Sequence, residues 1–219
     1  MGEIIIRPAA LSDLDAICLI YDAVHTAEEN GELIVGWCRG IYPTRKTAEE
    51  SIRRGDMFVL QDDEILGTGI INQIQVDVYE TASWEYETDQ VCVLHTLVIS
   101  PKAAGKGYGK TFVTFYEQWA AEHGLPELRM DTNARNSAAR AMYKKLGYKE
   151  VGIVPTTFNG IQGVNLVLFE KNLKESVNSA IYALHRFQVQ MKDEGEKAGF
   201  LTEEDVAEWI TKTRREETD

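Results

Sequence analysis

The chain has 219 residues, of which 44% are hydrophobic and 26% are charged. This is enough apolar material for one sizeable core and excludes global disorder. Asp and Glu number 35 against 23 Lys and Arg, for a net charge of −12, which argues against a general binder of nucleic acid or of an anionic membrane. The three cysteines form no CxxC pair, which excludes a disulfide scaffold and a cysteine-rich zinc site.

The N-terminus has no basic, apolar leader, and no window of about 18 apolar residues exists. We therefore expect a cytoplasmic protein that neither spans a membrane nor holds a metal ion. The first elements are a strand and two helices. A β-rich run over residues 3–7 predicts a short strand that ends at Pro8. Ser12-Asp13-Leu14-Asp15 has capping-box spacing and predicts a helix start. The apolar stripe of that helix is Leu14, Ile17, Tyr21 and Val24.

An irregular stretch from 32 to 44 precedes a second, short helix over 47–54. Residues 57–60 and 65–78 then predict a hairpin with an acidic turn. A polar loop follows over 79–90 and carries four acids, Glu80, Glu85, Glu87 and Asp89. Residues 91–99 are almost continuously apolar, which is typical of a strand buried on both faces.

The chain continues to alternate between predicted helices and strands. A helix that ends near His123 carries the apolar stripe Phe112, Phe115, Tyr116, Trp119 and Ala120. A strand over 127–131, a helix over 136–146 and two strands over 148–154 and 163–170 complete the pattern.

The composition changes after about Asn172. Two apolar stripes at helical spacing follow, Val177, Ile181, Leu184 and Met191 in one and Val206, Trp209 and Ile210 in the other. We expect a domain over residues 1–171 and a C-terminal helical extension over residues 172–219. The stripes would pack on that domain or join two chains into a homodimer.

The turn after the apolar strand is the most informative segment. Glycines stand at 105, 107 and 109, where they allow positive φ and close approach of a ligand to the backbone. A helix start presents N–H groups without internal partners, so this turn predicts an anion cradle. Lys102, Lys106 and Lys110 support it, although a flexible surface turn is the alternative. Neither GxxxxGKS/T nor GxGxxG is present, so a pyrophosphate ligand of another kind is indicated.

Two motifs resemble one family. Leu97-Val98-Ile99-Ser100-Pro101, followed by the run from Ala104 to Lys110, resembles the acetyl-CoA loop of the GNAT family of N-acetyltransferases. The run from Asn136 to Tyr148 resembles the family's second motif, N-x-x-A-x-x-x-Y-x-x-x-G-F/Y. The resemblance covers about residues 3–170. One departure is Ala104, where the family usually has Arg or Gln.

The resemblance implies the acyl-CoA N-acyltransferase fold, which is α+β with a mixed, mostly antiparallel central sheet flanked by helices. It also implies transfer of an acetyl group from acetyl-CoA to an amine by direct attack. The residues that would bind acetyl-CoA are Leu97, Val98, Ile99, Ala104, Gly105, Lys106, Gly107, Tyr108, Gly109, Lys110, Asn136 and Tyr143. Tyr143 would also protonate the leaving thiolate. The alternatives are a helix N-cap for Asn136 and a core position for Tyr143.

The general base is open at this stage. His95 is an ionisable group on an apolar strand and could accept a proton near neutrality, or it could be a satisfied, half-buried histidine. Glu85 is a rival base. Cys92 and His95 lie three apart on a strand, so their side chains point to opposite faces and form no nucleophile–base pair. Trp37, Tyr42 and Trp84 could line an acceptor pocket or simply anchor loops.

Three functions remain in competition. The first is N-acetylation of a small-molecule or peptide amine whose identity the residues do not reveal. The second is an acyl-CoA-responsive binding module that assembles through its helical tail. The third is an acetyltransferase that acts on RNA, against which the net charge of −12 argues.

Overall fold

A computed structural model describes residues 4–86, 88–174 and 179–197, together with 199 and 202. Seven strands form one sheet in the order β1-β2-β3-β4-β5-β7-β6. The strands are β1 (Ile5–Pro8), β2 (Met57–Gln61), β3 (Ile65–Asn72), β4 (Val91–Ile99), β5 (Glu127–Asn133), β6 (Lys149–Phe158) and β7 (Ile161–Asn172). The helices are α1 (Leu14–Glu29), α2 (Arg45–Arg54), α3 (Tyr108–Glu122), α4 (Ser137–Lys145) and α5 (Ser179–Lys197). Every neighbouring pair is antiparallel except β4 and β5, which are parallel. The predicted fold class is confirmed.

Helices cover both faces of the sheet. Met57 and Val59 pack in a buried cluster with α1 and α2, whereas Phe58 and Leu60 pack in a second cluster with α3. Alternate residues of one strand point to opposite faces, so α1 and α2 lie on one face and α3 on the other. A strand between two apolar layers needs no polar side, which explains the continuous apolar run of β4.

The predicted strand over 65–78 is too long. β3 ends at Asn72, whose side-chain oxygen accepts a hydrogen bond from the Ile74 N–H group at 2.9 Å. The chain turns there and forms a 3₁₀ turn over Asp77–Thr81. Tyr79, which we placed at the start of a polar loop, is only 2% exposed. The last two strands, in contrast, are longer than expected and make a long hairpin.

The predicted capping box at Ser12 is also wrong. The carboxylate of Asp13, not the Ser12 side chain, accepts a hydrogen bond, from the Ala10 N–H group at 2.8 Å. Arg7 donates to the same carboxylate at 2.7 Å. A 3₁₀ turn over Leu11–Asp13 therefore precedes α1.

The extension begins just beyond the sheet. Leu173 is buried in the core, and α5 contacts α3. Leu184, Phe187 and Met191 on α5 are each about half exposed. The expected positions of Val177 and of the helix with Val206, Trp209 and Ile210 lie outside the described residues, as does the Ile181 side chain, so the homodimer stays a prediction. None of the helices in the described ranges is long and apolar enough to cross a membrane.

Candidate active site

A cleft opens where β4 and β5 separate. The strands pair from Val91 to Leu94 and from Glu127 to Met130, and beyond these residues the pairing stops. A cavity of about 510 Å³ lies at the opening and continues between α2, the 35–42 loop and the β6–β7 hairpin. The edge of β4 from His95 to Ile99 therefore faces the cleft without a β5 partner.

A bulge distorts β4 at the point of separation. His95 pairs with Ile70 and Val98 pairs with Thr68, so Thr96 and Leu97 lie opposite the single residue Gly69. Thr96 has φ = 51°, a left-handed conformation that is rare for a β-branched residue. Both bulge residues line the cleft.

The glycine turn lies at the end of β4. Gly105 and Gly107 have φ of 76° and 84°, and a Cβ atom added to either would have no neighbour within 4 Å. Gly107 is the N-cap of α3. The N–H groups of residues 105–110 form no hydrogen bond within the part of the chain that the structure describes. Six consecutive backbone donors are thus available to an anion, at the positive end of a helix dipole.

Other residues of the turn have other roles. The Ala104 N–H group donates to the Pro101 carbonyl at 3.1 Å, so it belongs to the turn itself. A Cβ atom on Gly109 would lie 3.2 Å from Met142 Sδ, so this glycine lets α3 approach α4. Lys102 pairs with Glu64 at 2.6 Å, whereas Lys106 and Lys110 are exposed and form no ion pair with the described residues.

Asn136 and Tyr143 both line the cleft. Asn136 is the N-cap of α4: its Oδ1 accepts from the Ala139 N–H group at 3.1 Å. Tyr143 is 6% exposed and makes edge contacts with Tyr148 and Phe169. Its hydroxyl forms no hydrogen bond with the described residues. Burial, followed by the charge of Asp131, raises the pKa of Tyr143, so the phenol keeps its proton at neutral pH.

Asp131 is a cleft residue that the sequence analysis missed. Its Oδ2 accepts a hydrogen bond from the Tyr79 hydroxyl at 2.8 Å, and burial raises the pKa of Asp131 to about 6. Met130 packs in the α3-side core, so the alternation of β5 points Asp131 to the opposite face. Tyr143 packs in the same core as Met130. The cleft therefore has a phenol and a carboxylate on its two sides. Asp131 shares one face of β5 with the polar residues Glu127 and Arg129, so no distinct sequence signal singled it out.

His95 is a satisfied histidine in the cleft wall. Its Nε2 lies 2.9 Å from the Ile74 carbonyl and 3.1 Å from Asn72 Oδ1. A carbonyl only accepts, so Nε2 carries the proton and donates. Burial lowers the pKa of His95 to about 4. At neutral pH this ring is neutral and a weak proton acceptor, which favours a satisfied histidine over a general base.

Trp84 and Glu85 are not among the residues that line the cleft, so Trp84 does not line the expected acceptor pocket and Glu85, the rival base, lies away from it. Trp84 donates from Nε1 to the Tyr79 carbonyl at 2.8 Å, and the Arg129 guanidinium lies 4.0 Å from its ring. The half-exposed Glu85 carboxylate pairs with Lys149. Both residues fasten the loop before β4 to the sheet.

Trp37 and Tyr42 do line the cleft. Tyr42 makes edge contacts with Trp37 at 6.2 Å and with Phe158 at 6.3 Å between ring centroids. A Cβ atom on Gly160 would lie 3.3 Å from Ile41. The 35–42 loop and the tip of the β6–β7 hairpin, residues 158–161, therefore meet. We call this contact the roof. Among the described residues, no group of three or more His, Cys, Asp or Glu is placed to hold a metal ion.

Comparisons with known proteins bear on the family and the fold. The sequence profile described as "Acetyltransferase (GNAT) family" matches residues 8–148. The Bacillus subtilis (strain 168) protein "Uncharacterized N-acetyltransferase YesJ" is 29% identical over 129 residues, 56% of this chain and 64% of YesJ, so the match spans less than two thirds of that relative.

Solved structures share the fold. A GNAT family acetyltransferase from Streptococcus agalactiae 2603 aligns with a TM-score of 0.65 and 23% identity over 78% of this chain and 97% of that one. The ribosomal-protein-S18-alanine N-acetyltransferase of Escherichia coli aligns with a TM-score of 0.56 and 17% identity over 80% of this chain and 96% of that one. At these identities the likeness concerns the fold alone.

Proposed function

The chain belongs to the acetyltransferase (GNAT) family, and we propose that it transfers an acetyl group from acetyl-CoA to the amine of a small molecule by direct attack. The observation that carries this proposal is the cleft. It places the carboxylate of Asp131 and the phenol of Tyr143 on opposite sides of the unpaired edge of β4, and that edge leads into the row of free N–H groups.

The residues present fit acetyl-CoA. The N–H groups of residues 105–110 would hold the pyrophosphate, with Lys106 and Lys110 adding charge at the rim. The unpaired backbone of Leu97, Val98 and Ile99 would pair with the pantetheine arm as an added strand does. Bound there, acetyl-CoA supplies an activated acyl group. A backbone N–H group of the bulge at Thr96 and Leu97 would orient the thioester carbonyl.

Asp131 and Tyr143 would move the protons. As the amine nitrogen bonds to the acyl carbon and the carbon–sulfur bond breaks, Asp131 accepts the proton of the amine and Tyr143 donates one to the sulfur. A base with a pKa of about 6 is ionised at neutral pH and still accepts a proton, as general base catalysis requires. Tyr79 holds the Asp131 carboxylate in place. This proposal assigns the base to Asp131 instead of His95 or Glu85.

The roof favours a small acceptor. Because the 35–42 loop touches residues 158–161, the acceptor side of the cleft is a pocket between walls and not an open groove along which a peptide would lie. Trp37, Tyr42 and Phe158 supply an apolar wall. A primary amine on a compact, partly apolar body matches this lining.

The test is thiol release from acetyl-CoA over a panel of polyamines, amino sugars, amino acids, arylalkylamines and peptides that begin with alanine. We expect release with a small amine, and CoA at 100 times its Kd should stabilise the fold by about 2.7 kcal/mol. Release with the peptides alone would overturn the small acceptor. Stabilisation by CoA without release for any amine would favour the binding module. No stabilisation at all would overturn acetyl-CoA use.

A further inference from the structure

The bulge of β4 holds a residue in a conformation that its type disfavours. Thr96 is β-branched and has φ = 51°, and such backbone outliers persist only where surrounding contacts impose them. A relaxed threonine would prefer the extended conformation of a regular strand. The bulge therefore needs a contact that keeps Thr96 left-handed.

That contact comes from Tyr42. The Tyr42 hydroxyl and Thr96 Oγ1 form a short hydrogen bond, the one side-chain hydrogen bond of Thr96 within the described ranges. We infer that Tyr42 is a positioning residue, which holds the bulge in the form that turns a backbone N–H group toward the thioester carbonyl. This inference rests on the proposed function and gives the Tyr42 hydroxyl a role in addition to the apolar wall that the Tyr42 ring supplies.

Tyr42 can impose this geometry because it is itself held firmly. Its carbonyl accepts a hydrogen bond from His25 Nε2 at 3.1 Å, and its ring lies between Trp37 and Phe158. Arg39, in the same loop, forms ion pairs with Asp22 and Glu29 of α1 at 2.7 and 2.9 Å. The loop is thus fastened to α1, and its tyrosine reaches across to the strand.

The experiment introduces Tyr42→Phe into the wild-type chain and into the single variant Thr96→Gly. Glycine adopts positive φ freely, so in the Thr96→Gly background the hydroxyl is no longer needed. The first readout is the infrared carbonyl band of bound acetyl-CoA labelled with ¹³C at the carbonyl, which requires no acceptor. The second is kcat with the best amine of the panel.

We expect the wild-type protein to shift the band below its frequency in free acetyl-CoA, and Tyr42→Phe to lose most of that shift. The kcat of Tyr42→Phe should fall about tenfold, less than the roughly 10²–10³ for loss of an oxyanion donor, with the KM for acetyl-CoA unchanged. Adding Tyr42→Phe to Thr96→Gly should change neither readout further. Tyr21→Phe is the matched control, because Tyr21 belongs to the same aromatic cluster and its buried hydroxyl has no partner among the described residues.

Three outcomes would overturn the inference. They are an unshifted band in the wild-type complex, an unchanged band in Tyr42→Phe, and an equal loss of kcat from Tyr42→Phe in both backgrounds. The last result, with a raised KM for the amine, would make the Tyr42 hydroxyl an acceptor contact instead of a support for the bulge. Failure of acetyl-CoA to bind the wild-type chain would instead refute the proposed function, so the two failures are distinguishable.

Discussion

The proposed acetyl-CoA site has two ends, the glycine turn after β4 and the cleft, and the two offer different groups to a ligand. At the glycine turn, the N–H groups of six consecutive residues, 105–110, have no hydrogen-bond partner among the described residues. At the proposed reaction end, side chains from separate elements converge, with Asp131 on β5, Tyr143 on α4 and Tyr42 in the 35–42 loop. Backbone donors do not titrate and do not depend on side-chain type. The turn should therefore respond to changes of conformation, and the reaction end to the loss of single atoms and to pH.

Asp131→Asn is the variant with the largest expected effect, and it acts at the reaction end alone. The amide still accepts the hydrogen bond from Tyr79 but takes no proton, so kcat should fall about 10²–10⁴-fold while the Kd of CoA stays the same. In the wild-type chain, kcat/KM should rise tenfold per pH unit up to the Asp131 pKa of about 6. Steady-state kinetics between pH 5 and pH 8 measures both effects, and an unaltered pH profile in the variant would reassign the base.

The same variant should be more stable than the wild-type chain. The folded-state pKa of Asp131, about 6, lies above the unfolded value of about 3.9, so the folded state binds the proton more tightly and loses stability as pH rises through this window. At pH 7, Asp131→Asn should therefore gain about 1–3 kcal/mol. Thermal unfolding should show that gain vanish below about pH 4, where Asp131 is protonated in both states.

Tyr143→Phe tests the other side of the reaction end. Loss of the phenol should lower kcat by about 10²–10³ and leave the aromatic packing against Tyr148 and Phe169 in place. The Kd of CoA, from calorimetry, should not change. If turnover is unchanged under conditions where chemistry is rate-limiting, Tyr143 has a purely structural role.

Gly107→Val tests the backbone donors of the glycine turn. Valine disfavours the observed φ of 84°, so the turn should move and the Kd of CoA should rise about 10–100-fold, in line with 1.4 kcal/mol for each tenfold change. Gly31→Val is the matched control, since Gly31 has φ = 73° and open space around its Cα but lies after α1, away from the cleft. Equal losses of CoA affinity in the two variants would mean that strain anywhere in the fold, and not the turn, is responsible.

The two ends also differ in how far the sequence predicts them. Glycines, a helix start and lysines within nine residues define the turn locally, which is why its place after β4 and the family were predicted. The pairing of Asp131 with Tyr79 joins residues 52 apart in the chain, and no local pattern reveals it. Because β3 ends earlier than predicted, the loop before β4 takes a different path from the one expected. Trp84 therefore packs on the sheet and Glu85 pairs with Lys149, and neither lines the cleft.

The smallest expected effect separates the lysines of the turn from its backbone. Lys106→Ala and Lys110→Ala should each raise the Kd of CoA about 2–5-fold, since exposed charges contribute about 0.3–1 kcal/mol. Lys102→Ala should change it less, because Glu64 already holds that ammonium group. Calorimetry at low and high salt is the measurement: screening at 1 M, where the Debye length is about 3 Å, should remove the lysine effects and leave the Gly107→Val loss intact. If Gly107→Val lost its effect at high salt as the lysine variants do, the turn would bind through its side chains, and the contrast between the two ends would fail.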